Sequence, residues 1–577
     1  MSFQIGELDP LQLTRFLSTN YLKSKMKYFN PAFLFLISLS LFSINCSKNN
    51  TEKKDRVIIG ISSDIQTLNP LYAFNINEDY ITGQLYLSLV QHGWNSEIGE
   101  MDSEPMLAKS WEWNSDSTTI TIQLRNDAMW SDSVNVTAED VVYSFDLYSD
   151  PEVDSRFLGT FKNFYADKDN HIDLKKTFEI ISPYILKIHF LTNSVPSLYN
   201  IDLPILPKHV FEKIARKDIE HSEVNFHPVT DGAFRLSGWE RNQAVILKAN
   251  QGSFLHRPNS INEIIFKIVP DYSTRLLQLK NGELDLITDL NPDDAEAIKA
   301  KGNIDVVPIK GREYDYIGWD NIDPQQYSKN KKLVPNPLFG NANIRKALTY
   351  ALNRNEVIKN YLYNHGEIAV GPVSPIFKSI YDSSLVPYEY NPEKARKIFA
   401  SEGWVPSPGD GILEKNGKKF SFKLYMSTGN ARRDFAMSIF KNNLKAVGVD
   451  VQIEKMEMSS FLNSMFSKQF DAWTAGWTVS IPIDIMPFWY SHLDVAMLNI
   501  SAYNNSLVDQ LLSRLQTKIT NDQKIETYKK IQKILHDDEP VTFLYWVDKI
   551  VAYNNRIKNI DINPLGAVNK CWEWEIK

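Results

Sequence analysis

A chain of 577 residues, 43% hydrophobic, 23% charged and 12% aromatic, has globular proportions and enough length for several domains. Its formal charge of −7, with no basic cluster, excludes the electrostatic footprint of a nucleic-acid binder. Two cysteines give no disulfide framework, so stability must come from burial, which a chain of this size can supply.

The first feature in chain order is the apolar run Ala32 to Ile44. At about a dozen residues it falls short of the roughly 17 to 25 needed to span a membrane, and it suits the core of an export signal. Lys23, Lys25 and Lys27 precede it and Cys46 follows, the layout of a signal that ends at a cysteine to be lipidated. The context Phe42-Ser43-Ile44-Asn45-Cys46 departs from the strict pattern, which has Gly or Ala before the cysteine, and leaves open a buried apolar segment beside an ordinary thiol. The stretch ahead of Met26 is long and mixed in charge for a signal, so Met26 is an alternative start. Removal of residues 1–45 takes away Arg15, Lys23, Lys25 and Lys27 but only Glu7 and Asp9, leaving a more acidic chain in which Cys571 has no intramolecular partner. Two or more acyl chains on Cys46 would hold the protein at a bilayer, with the polar residues 46–55 as a tether.

Beyond the tether, Val57 to Ile61 is a β-branched run ending in the turn-forming Thr67-Leu68-Asn69-Pro70, and predicts a strand leaving a sheet for a loop. Ser117 to Leu124 alternates, with Ile120, Ile122 and Leu124 on one side, as a half-buried strand does. Thr137 is placed to cap a helix whose first turn carries Glu139 and Asp140 and whose apolar side carries Val141, Val142 and Phe145. Gly411 to Met426 reads as a hairpin turning at Asn416-Gly417. It is not a phosphate loop: five residues separate Gly411 from Gly417, and Lys419 stands where Ser or Thr would bind magnesium. Ala431 to Val447 has helical spacing, Val449 to Ile453 is strand-like, and Asp522 to Leu535 predicts a helix that buries Ile525, Tyr528, Ile531, Ile534 and Leu535. The alternation of strands and helices predicts α/β lobes.

The order of several segments is familiar. Pro105-Met106-Leu107-Ala108-Lys109-Ser110-Trp111-Glu112, Thr119 to Arg125, Met129-Trp130-Ser131-Asp132 and Thr137 to Val142 follow one another closely. Together they resemble the signature of family 5 extracellular solute-binding proteins, which include dipeptide, oligopeptide and nickel binders of ATP-driven importers. Similar blocks continue through Thr230-Asp231-Gly232-Ala233-Phe234, Asn281-Gly282-Glu283-Leu284-Asp285, Ile344 to Arg354, Gly476-Trp477 and Pro564-Leu565-Gly566, so the resemblance covers nearly all of the mature chain. It implies an α/β, periplasmic-binding-protein-like (class II) fold: two hinged lobes plus an extra α/β domain. The expected division is 55–85, 228–318 and 540–577 for lobe I, 86–227 for an insertion, and 319–539 for lobe II. The implied partners are short peptides and an ABC permease, with a monomeric, exported, lipid-anchored protein, periplasmic or at the cell surface, and no cofactor.

In relatives that grip a free amino group an aspartate lies three residues after the Gly-Trp pair; here Ser480 holds that place and Asp484 is the nearest carboxylate. A desolvated ammonium needs an anion, so Asp484 is the candidate and a solvent-facing loop acid the plain alternative. For a peptide carboxylate, Arg432 or Arg433 offers two parallel donors, in a run resembling the one after the ligand loop of dipeptide binders. Asn69, Tyr72, Trp319 and Trp477 are further cleft candidates, each equally suited to a turn or a core.

The rival ligands are a nickel or other metal chelate, although the ten histidines show no His-x-x-x-His spacing, and an oligosaccharide. An exported hydrolase is the rival from another class; no Gly-x-Ser-x-Gly elbow or His-Glu-x-x-His helix is present. An adhesin or sensor that has kept the fold is a third reading.

Overall fold

The computed structural model describes residues 55–577, so the export signal and Cys46 lie outside the described residues. One large sheet runs through them. Its strands are numbered here β1 (Arg56–Ile61), β2 (Phe234–Glu240), β3 (Ala244–Ala249), β4 (Glu263–Ile268), β5 (Leu286–Ile287), β6 (Ile304–Trp319), β7 (Gly366–Ile368), β8 (Ser421–Ser427), β9 (Asp450–Met456), β10 (Ala472–Thr478) and β11 (Val541–Asn554). The order across the sheet is β9-β8-β10-β6-β11-β5-β1-β4-β3-β2, with β7 added on β11.

The apolar run at Val57 to Ile61 forms β1, which lies parallel to both β4 and β5. Val57, Ile59 and Ile61 are buried, as expected of a strand covered by neighbours. β6 and β11 are the long central pair, antiparallel from Ile304 opposite Asn554 to Gly318 opposite Val541. Their ladder breaks between Ile309 and Glu313. There Asp548 accepts from the Gly311 amide at 3.2 Å and from Lys310 Nζ at 3.3 Å, and Ser374 Oγ donates to the Gly311 carbonyl at 2.6 Å.

Apolar residues gather on either side of this break. One core takes side chains from Val57 to Ile268 together with Val551 to Trp574, and includes the segment 86–227. That segment contributes a four-stranded sheet of Ala108–Trp113, Thr119–Leu124, Ile185–His189 and Phe178–Ser182, and the hairpin Val90–Asn95/Glu100–Pro105. Helix Ala138–Ser149 begins as the sequence predicts, with Thr137 and Asp140 closing a capping box and Val141 and Phe145 buried. The remaining cores lie between Leu276 and Ala552, two of them formed wholly between Tyr314 and Val547.

The hairpin expected over Gly411 to Met426 is only partly present. Asn416 and Gly417 adopt φ of 53° and 76°, the left-handed turn predicted, but they join just Leu413–Lys415 to Lys418–Lys419. The next strand, β8, leaves for the large sheet and pairs in parallel with β9 and β10, because Phe422, Leu424 and Met426 bury their side chains there.

A buried polar chain ties helix Ala342–Tyr350 to β11. Thr349 Oγ1 donates to the Glu539 carboxylate at 2.8 Å and lies 2.6 Å from Thr542 Oγ1, while Arg345 Nε donates to the Glu539 carbonyl at 2.7 Å. Burial raises the Glu539 pKa to about 7, against smaller lowering effects from Thr349, Arg354 and Arg345. Below the ordinary carboxyl range Glu539 is neutral whether the chain is folded or not. Above it the unfolded chain loses the proton first, so stability falls as pH rises and stops falling beyond about 7. Denaturant midpoints from pH 4.5 to 8 should show this decline, up to roughly 3 kcal/mol, and Glu539→Gln should flatten it; an equal slope in the variant contradicts the assignment.

Candidate ligand-binding site

The segments 86–227 and 319–539 meet along a crevice. The tip of the hairpin bridges them: Ser379 N donates to the Ile98 carbonyl at 2.8 Å, Lys378 Nζ to the Ser96 carbonyl at 2.7 Å, and Ser379 Oγ to Glu100 at 2.6 Å. Farther along, Lys518 Nζ donates to the Asp116 carbonyl at 2.8 Å.

Two adjoining cavities occupy the crevice. The more polar, about 560 Å³, is lined by Lys162, Asn163 and Asn200 from one side and Asp484, Lys524 and Tyr528 from the other. The second, about 360 Å³, has apolar walls that include Trp94, Met101, Phe377 and Ile380. Ser197, Pro482, Ile483 and Lys524 border both. Volumes of this size suit a small ligand.

Local sequence explains how the polar groups are held. Helix Asn521–Asp538 starts on a capping box of Thr520 and Gln523, and Lys524 and Tyr528 stand one turn apart on its crevice side. The Tyr528 hydroxyl donates to the Ile483 carbonyl at 3.1 Å, fixing the loop that carries Asp484. Burial first, then the charge of Asp484, raises the Tyr528 pKa, so it remains a neutral donor. Asp484 Oδ1 accepts from the Met486 amide at 3.0 Å, and Ser480 Oγ accepts from the Asp484 amide at 3.2 Å. Ser480 and Asp484 therefore act together, the first shaping the loop and the second lining the cavity. None of the ion pairs within 4.0 Å among the described residues involves Asp484, Lys162 or Lys524.

The other residues singled out in the sequence stand elsewhere. Arg432 and Arg433 both turn onto Asp315: Arg432 Nε to Oδ2 at 2.7 Å, and Arg433 Nη2 to Oδ1 at 2.9 Å. Arg432 also pairs with Glu313. Burial would lower the Arg432 pKa, but Asp315 and Glu313 outweigh it and hold the guanidinium above its usual value. These forks are occupied by Glu313 and Asp315 on β6 and line neither cavity. Trp477 is half-buried, edge-on to Phe488 at 5.2 Å, beside a void of about 20 Å³. Trp319 is fully buried, donates from Nε1 to Thr542 Oγ1 at 3.0 Å and stacks on Phe339. Asn69 is fully buried in its turn, bonded to Asn225 at 2.8 Å and to the Leu71 amide at 3.0 Å. Tyr72 donates to the Val153 carbonyl at 2.9 Å, and burial raises its pKa. The last three are pieces of scaffold whose polar atoms are already satisfied. Lys162, Lys524 and Tyr528 were not singled out as ligand residues; the available signal was that Lys524 falls one turn before Tyr528, beside the buried stripe.

The sequence profile of the bacterial extracellular solute-binding proteins, family 5, matches residues 102–496. The chain belongs to this family. Its relatives include the Bacillus subtilis oligopeptide-binding protein AppA, 26% identical over 566 residues and covering 95% of this chain and 99% of AppA. The structure of B. subtilis AppA in complex with a nonapeptide superposes with a TM-score of 0.68 at 25% identity, over 91% of this chain and 99% of that one. Campylobacter jejuni NikZ in complex with Ni(L-His) shares the fold, with a TM-score of 0.68 at 24% identity over 90% and 99% of the two chains. The family member described here therefore has the periplasmic-binding-protein-like α/β fold expected from its motifs. Among the described residues no group of three His, Cys, Asp or Glu side chains could hold a metal ion, and no helix is long and apolar enough to cross a membrane.

Proposed function

We propose that this family member is the substrate-binding lipoprotein of an ABC importer, capturing short peptides in the crevice and delivering them intact to a membrane permease. The observation that carries this reading is a polar cavity holding one carboxylate, Asp484, and two lysines, Lys162 and Lys524, none of them in an ion pair among the described residues. A peptide brings one ammonium, one carboxylate and a row of amides, and the amides of Asn163 and Asn200 suit the last. Similarity to a peptide-bound AppA supports the same ligand class. The division into lobe I at 55–85, 228–318 and 540–577, an insertion at 86–227, and lobe II at 319–539 goes with it, and the broken ladder at Lys310 to Arg312 is the natural place for hinge motion. Lipid on Cys46 would keep the monomer at the membrane.

Native mass spectrometry of detergent-extracted protein, purified without refolding, reads both parts at once. An acyl mass on Cys46 and a co-purifying set of peptides are expected; an unacylated chain carrying only a metal chelate, an oligosaccharide or nothing contradicts the reading. In titrations with peptides so recovered, Asp484→Asn should weaken binding about tenfold or more, because a charged hydrogen bond is worth roughly 1.5 to 3 kcal/mol. N-acetylated peptides should show no such difference. Equal losses for both would remove Asp484 from the amino-terminal role.

A further inference from the structure

The crevice has a division of labour that goes beyond holding a peptide. Lys524 stands where the polar cavity opens into the apolar one and lines both. Several polar groups of the apolar cavity have partners: Glu100 accepts from Ser379 at 2.6 Å, and the His92 ring lies 3.0 Å from Ser103 Oγ and 3.1 Å from Asp202. Its apolar walls include the indole of Trp94, edge-on to Phe377 at 5.9 Å, with Met101 and Ile380, and the ring of Tyr199 also borders it. Lys524 is thus a cation with no ion-pair partner among the described residues, at the mouth of a pocket suited to a ring or branched chain. It also sits in the first turn of helix Asn521–Asp538, where the backbone dipole adds partial positive charge.

The geometry points to recognition of the peptide's C-terminal residue, its carboxylate on Lys524 and its side chain, large and apolar, in the pocket between Trp94, Met101, Phe377 and Ile380. This rests on the peptide reading above and narrows it to a substrate class. A carboxylate and the side chain on the same terminal residue diverge from one carbon, so a cation at a pocket mouth reads both together. Met101 lends the pocket an adaptable wall, which favours tolerance among Phe, Leu, Ile and Met over selection of one of them.

The test uses four tetrapeptides titrated calorimetrically into the mature protein: Ala-Ala-Ala-Phe, Ala-Ala-Ala-Ala, Ala-Ala-Ala-Lys, and the C-terminal amide of the first. The Phe peptide should bind about tenfold or more tightly than the Ala peptide, as burial of a ring requires, and the Lys peptide should be weakest. Amidation should cost about tenfold or more. Lys524→Met should bring acid and amide within about twofold of each other while the preference for Phe over Ala survives. Ile380→Asp should do the reverse, abolishing the side-chain preference while acid still outbinds amide, so each variant carries its own control for folding. Peptides that bind with no dependence on the last residue, or equally as acid and amide, overturn this inference and leave the peptide reading intact. Failure of all four to bind overturns both.

Discussion

Asp315→Asn should destabilise the protein by about 3 to 5 kcal/mol, the loss expected when one partner of a buried ion pair is removed. Asp315 is fully buried, while Arg432 and Arg433 are 16% and 14% exposed, so water cannot replace the carboxylate. Two guanidiniums would then share only Glu313, which is 32% exposed and faces Arg432 alone. The asparagine also turns an acceptor into an NH2 group beside existing donors. Gly476 packs directly against this cluster, and a Cβ there would come within 2.4 Å of Arg433 and 2.7 Å of Asp315, so the arginines have little room to turn away. Urea unfolding followed by tryptophan fluorescence measures the loss. The triple replacement Asp315→Leu, Arg432→Met, Arg433→Leu should recover most of it, because the cost lies in the uncompensated charge. A shift below about 1 kcal/mol for Asp315→Asn would mean that the arginines are solvated and free to serve a ligand.

Trp319→Ala should cost about 3 to 5 kcal/mol, the range for deleting a buried aromatic side chain. The ring is fully buried, stacked on Phe339 at 4.9 Å and edge-on to Phe422 at 5.8 Å, and its Nε1–H is spent on Thr542. Affinity for a crevice ligand should be unchanged in the folded fraction, since Trp319 borders neither crevice cavity. The reading of Trp319 as a cleft residue is contradicted by unchanged affinity together with a lowered melting temperature. Selective loss of affinity at full stability would restore it.

These two residues illustrate what could be read from the chain alone. Local signals translated well: Thr137 and Asp140 closed a capping box, Asn416-Gly417 took the left-handed turn, and the stripe of helix Asn521–Asp538 buried Tyr528, Ile531 and Leu535. The long central strand β11 was less legible, because residues 541–548 are buried on both faces and show no alternation by which a strand is recognised. Site residues suffered from a related limit. Arg432 looks like a free helix-start cation until Asp315, 117 positions away, is folded against it. Asn69 and Trp319 have polar atoms that fit a ligand equally well until Asn225 and Thr542 arrive from distant segments. Lys524 failed in the opposite sense: on its helix it resembles any solvated lysine, and only the facing wall of Ser197 makes it part of a cavity. Motif order carried the family assignment because it is a property of the whole chain, whereas ligand contacts depend on pairs that sequence spacing does not disclose.

The placement of β11 governs the order in which the molecule can be assembled. β11 pairs with β5, β6 and β7, and the adjoining Arg556 clasps Asp285 and the Arg56 carbonyl, so both halves of the large sheet wait for residues near position 550. A nascent chain lacking its last forty or so residues has neither half finished, and closing such long loops is slow. Late completion keeps the chain an unfinished thread until its tail is made, with both halves maturing together only then.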